Sequence, residues 1–175
     1  MLAALIALAG CGASASDSSQ SHERRDLQAY VSGIEPLRVS VNHLLDGADP
    51  ILHAYRAHTF TAAEAQVQLG ELERRFSNYM RRVARVRPVP PDLVAAHHAY
   101  AHTYVQEDAY LRALIAALPS RDWSALPHTE RQQRNTLVAW RAKVALEAAR
   151  LRVKIPRDMQ KVGRDEIVPS PLGDS

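Results

Sequence analysis

One cysteine in 175 residues leaves no partner for a disulfide within the chain and no cysteine set for a zinc site. Glycine is scarce, at seven residues, and aromatic residues make up only 6%. That shortage works against a sheet, which draws on β-branched and aromatic side chains, and leaves a chain rich in helix formers. Charge of one sign is also lacking. The 22 Lys and Arg nearly balance the 19 Asp and Glu, and no dense basic stripe interleaved with aromatics marks a nucleic-acid surface. Familiar catalytic signatures are missing as well. There is no Gly-rich phosphate loop, no Gly-x-Ser-x-Gly and no Cys-x-x-Cys-His, and no glutamate has a histidine three residues on. His22-Glu23 begins like a zinc-protease motif, but Asp26 stands where its second histidine belongs. These absences predict a non-enzymatic protein without a bound cofactor.

The apolar run Leu2 to Ala9 is followed by Gly10 and Cys11. Eight helical residues reach only ~12 Å, well short of the ~30 Å hydrocarbon core of a bilayer, so the run has the size of a signal-peptide core. A Ser-rich stretch from Gly12 to Ser21 follows and predicts a flexible tether. Leu8-Ala9-Gly10-Cys11 resembles the bacterial lipobox, in which small residues precede the cysteine that is lipidated. The resemblance implies a signal peptide over 1–10 and cleavage between Gly10 and Cys11. It also implies a diacylglyceryl group on the Cys11 thiol and anchoring of residues 11–21 and everything beyond them to the outer face of a membrane. No Lys or Arg precedes the apolar run, although signal peptides normally carry one, so the true start codon is expected upstream.

From Asp26 onward the pattern is helical. Leu27, Tyr30, Ile34, Leu37, Val41, Leu44, Ala48, Ile51 and Tyr55 follow at alternating steps of three and four, which predicts one long amphipathic helix. Pro36 and Pro50 kink it, with a break near Gly47–Pro50. Thr61 and Glu64 have capping-box spacing and open a second helix, with Leu69, Leu72, Phe76, Tyr79 or Met80, Val83 and Val86 inward. Its arginines read as a solvated face. Pro88, Pro90 and Pro91 separate it from a third helix whose seam runs Leu93, His97, Tyr100, Tyr104, Glu107, Leu111, Leu114 and Leu118. After a Pro119–Pro127 connection, a fourth helix spans Thr129 to Val153, with Gln133, Leu137, Trp140, Val144, Ala148 and Leu151 inward. Pro156 is expected to stop it. The predicted fold is all-α, an up-down four-helix bundle over 22–155 with a long, kinked first helix and a basic, mostly irregular, loose tail over 156–175.

Four residues on the third seam are polar, and they are the candidate ligand site or polar core: His97, Tyr100, Tyr104 and Glu107. His97 and Glu107 stand ~15 Å apart along the helix, so each needs a partner from another element. His98 and His102 share a face at metal-chelating spacing, but that face lies opposite the seam and offers no third ligand. The layout of Pro90-Pro91-Asp92-Leu93, His97 and Tyr100, between a basic helix and an Ala/Leu-rich one, resembles uncharacterised helical lipoproteins of high-GC bacteria. The combined expectation is a lipid-anchored, extracytoplasmic bundle that binds another envelope protein or a small ligand, not nucleic acid. A metal- or cofactor-binding bundle centred on the third-helix histidines and a structural coiled-coil spacer are the alternatives.

Overall fold

In the computed structural model the described residues are 13–157, 159, 166–168 and 171. Gly10 and Cys11, with the whole signal segment 1–10, lie outside them, as do Lys161 and Arg164 of the basic tail. Five helices are present: α1 (Ala13–Asp46), α2 (Ala48–Arg56), α3 (Ala62–Ala84), α4 (Val94–Ala117) and α5 (Glu130–Leu151), with a 3₁₀ turn over Pro91–Leu93 before α4. Helices α1 and α2 form one bent leg, broken only at Gly47, so the architecture is the expected four-legged bundle. The leg bends by 12° between Ser18 and residue 56. Pro36 sits inside α1, where its missing N–H interrupts the helical ladder without moving the apolar seam. The described residues contain no strand and no helix long and apolar enough to cross a membrane.

Each leg packs on its chain neighbour, and α5 returns to α1 to close the ring. The heptad-like seams supply the core: Leu27, Ile34, Leu69, Phe76, Leu111, Leu114 and Val144 are all fully buried. The capping box at α3 forms as the spacing requires, with the Thr61 hydroxyl accepting from the Glu64 N–H and the Glu64 carboxylate accepting from the Thr61 N–H.

Two expectations change. The Ser-rich run from Ala13 to Ser21 is not coil but the first turns of α1. Once a downstream segment is held by packing, adding a helical residue fixes one more backbone bond at little cost, and exposed serines disfavour that only weakly. Among the described residues of the tail, Met159, Glu166, Val168 and Pro171 are buried rather than loose. The left-handed Arg152 (φ 53°) ends α5, four residues before Pro156, as Val153 N–H donates to the Ala148 carbonyl at 2.8 Å. That reversal sends the chain back over the bundle. Met159, Glu166 and Val168 are buried there, and an Arg56 guanidinium nitrogen donates to the Pro171 carbonyl at 3.2 Å.

Candidate functional site

The inward stripe of α4 buries all four polar residues singled out in the sequence: His97 is 2% exposed, Tyr100 0%, Tyr104 1% and Glu107 1%. They do not converge on one point. They divide among three polar layers, with Tyr100 and Tyr104 sharing the middle one, because successive seam positions climb the helix by ~5 Å per turn.

The first layer is a hydrogen-bond chain. Indole nitrogen is only a donor, so Trp140 Nε1–H donates to the Tyr30 hydroxyl at 2.9 Å. The Tyr30 hydroxyl also bonds His97 Nδ1, 3.1 Å away. His97 Nε2 is buried with no hydrogen-bond partner among the described residues. Burial, with the nearby Arg87 charge and His98, pushes the His97 pKa down to about 4, and burial raises Tyr30 to about 12. A histidine held neutral in the fold but free to charge when unfolded contributes stability above pH 6.5, and that contribution is lost as pH falls toward 4. We expect His97→Leu to lower stability at pH 7, where the Tyr30 hydroxyl loses its imidazole partner, yet to flatten the loss between pH 7 and pH 4 by about 2 kcal/mol. Urea titrations at the two pH values measure both.

The second layer is an ion cluster that the tail completes. Tyr100 stacks on Trp140 at 4.0 Å between ring centroids, and its hydroxyl lies 2.7 Å from that of Tyr104. Tyr104 donates to Glu166 Oε2 at 2.9 Å, while Arg141 and Arg38 face Glu166 Oε1 at 3.5 and 3.9 Å. Arg38, 1% exposed, also forks onto both carboxylate oxygens of Glu35 at 2.9 Å each. Burial pushes the Glu166 carboxyl up, and the tyrosine hydroxyls and both guanidiniums oppose that rise. Neither Glu166 nor Arg38 was among the sequence candidates. The available signal was Ile167-Val168, an apolar pair in a polar tail that marks a docking point. A third unforeseen group lies between α3 and α4, where Ser77 donates to the buried Asp108 and Arg112 pairs with both Asp108 and Glu73.

The third layer opens onto a cavity. Glu107 Oε1 accepts from the Val168 N–H at 2.7 Å, and Oε2 accepts from Gln133 Nε2 at 3.0 Å. Both donors are neutral, and among the described residues no Lys, Arg or His side chain pairs with Glu107. Burial therefore raises its pKa to about 7 despite those two bonds. Beside it lies a partly enclosed cavity of about 440 Å³, within the range of small-ligand sites. The α4–α5 connection gives it Trp123, Leu126 and Pro127, and the tail gives it Ile167, Val168 and Pro171. Tyr110 from α4 and the rim residues His128, Glu130 and Arg131 complete the wall.

His98 and His102 are exposed, as their helical phase requires. Among the described residues no group of three or more His, Cys, Asp or Glu is placed to hold a metal ion. Comparison with known protein families, curated proteins and solved structures gives no match for this chain.

Proposed function

We propose that this protein is a lipid-anchored lipoprotein of the cell envelope whose helical bundle binds a small ligand in the cavity beside Glu107, without catalysing a reaction on it. The observation that carries the binding reading is the cavity itself. It has a largely apolar floor, one buried carboxyl and one buried amide, and it is assembled from α4, the α4–α5 connection, the start of α5 and the tail. The buried polar layers nearer the middle of the bundle have their hydrogen bonds directed at each other, which suits fold specification rather than turnover. The anchoring reading rests on Leu8-Ala9-Gly10-Cys11 alone.

Two measurements test the two halves. Expressed in a bacterial host fed labelled palmitate, the chain is expected to carry label on Cys11 and to partition with membranes. Cys11→Ala is expected to leave an uncleaved, unlabelled precursor, and a processed, membrane-bound Cys11→Ala protein would end the anchoring reading. For the cavity, a thermal-shift screen of small molecules against the full chain and against Val168→Trp, which fills the space, decides the matter. Stabilising compounds are expected to lose their effect in the filled variant.

A further inference from the structure

Among the buried acids, Glu107 differs from Glu166 in one respect. Glu166 has two guanidiniums within 4 Å, whereas among the described residues Glu107 has only neutral N–H donors and a cavity. A buried carboxylate without a counter-charge is costly, and proteins normally pair such a group or keep it protonated. The side of Glu107 not packed in the core is the space where a ligand would lie.

We infer that the cavity takes a small organic ammonium ion, whose charged head pairs with Glu107 and whose apolar body lies against Trp123, Leu126 and Ile167. The inference rests on the cavity reading proposed above and narrows its ligand to one chemical class. An anion is disfavoured because it would meet the buried Glu107, where charge interactions are least screened. The rim cation Arg131 is exposed to water and screened, and the rim acid Glu130 is bound to Arg134 at 2.6 Å. A bare divalent cation is disfavoured because it needs six or so oxygen ligands, and both Glu107 oxygens already accept N–H bonds. An ammonium group tolerates a single carboxylate, and the half-buried rings of Trp123 and Tyr110 offer faces suited to it.

The groups facing Glu107 are Tyr110 on its own helix, His128 on the connection, and Glu130 and Arg131 at the start of α5; Ile167 and Val168 of the tail carry no charge. The carboxyl, poised near 7, must lose its proton to pair with the cation. Binding is therefore coupled to proton release and weakens about tenfold from pH 8 to pH 6, as the competent ionised fraction falls.

Calorimetry on the full chain with benzylammonium, benzyl alcohol and benzoate tests this directly. At pH 8 benzylammonium is expected to bind at least tenfold more tightly than either analogue, and Glu107→Gln is expected to remove that preference. The pH dependence should collapse in the same variant. Equal binding of all three probes, or preference for benzoate, overturns the inference and leaves the cavity reading standing. Benzylammonium binding that survives Glu107→Gln with its pH dependence intact also overturns it, since the cation then sits elsewhere. No binding by any probe at millimolar concentration overturns both readings. The charge series and pH dependence of the unaltered chain decide the outcome even if the variant fails to fold.

Discussion

Glu166→Gln is expected to destabilise the protein by about 3 kcal/mol and to free its C-terminal tail, although the substitution hardly changes side-chain volume. The carboxylate lies 1% exposed between Arg141 and Arg38, which are themselves 7% and 1% exposed. Removing its charge breaks a buried ion cluster by taking away the carboxylate that faces both guanidiniums, and removing one partner of a buried pair costs about 3–5 kcal/mol. Glutamine can still accept the Tyr104 hydroxyl, which places the expectation at the lower end. Elsewhere among the described residues the tail is held by the Val168 N–H bond to Glu107, the Arg56 bond to Pro171 and buried side chains such as Met159 and Val168. Denaturant titration reads the stability, and limited proteolysis reads the tail, which should be cleaved after Arg157 much faster than in the parent. A loss below about 1 kcal/mol with an unchanged cleavage rate would show that the ion cluster does not hold the tail. The Glu166→Gln, Arg141→Met double substitution sharpens the result. If the charges act as a unit, the two losses will fall well short of adding.

Trp140→Ala is expected to cost about 3–5 kcal/mol, a large share of the 5–15 kcal/mol that holds a typical domain together. The indole is 1% exposed and stacks on Tyr100 with 13° between the ring planes, and its N–H starts the chain through Tyr30 to His97. Truncation removes both contributions, and Trp140→Phe separates them. Phenylalanine keeps most of the packing but leaves Tyr30 without its donor, for about 1 kcal/mol. Paired denaturation curves check the split. If the phenylalanine variant loses as much as the alanine one, the hydrogen-bond chain, not ring packing, dominates this layer.

The four legs were legible because an amphipathic helix writes its buried face at a fixed spacing. Nearly every seam position from Leu27 to Leu151 is buried, and Ile51 alone of the first leg's seam is only partly so. The polar seam residues were legible for the same reason, since phase alone put His97, Tyr100, Tyr104 and Glu107 inside. Their partners were not. Tyr30 meets His97 across 67 residues of chain, and Glu166 meets Tyr104 across 62. No local pattern encodes a pairing over such distances. The tail shows this most plainly. Pro169, Ser170, Pro171 and Gly173 suggest a loose end. Backbone irregularity says nothing about burial, however, and Glu166, Val168 and Met159 are buried by what the bundle offers them. The serines before α1 err in the opposite sense, because a weak local preference for coil gives way to a helix propagating from its packed neighbours.

By itself, the sequence determined an all-helical chain, its four legs, their inward faces and the capping box that opens α3, because each follows from residue spacing within a few turns. Only the tertiary structure decided that the tail folds back, that Arg38 and Arg141 receive Glu166, and that Glu107 looks into a cavity without a counter-charge. Those outcomes depend on which surfaces meet when distant segments pack, and helical periodicity carries no record of that.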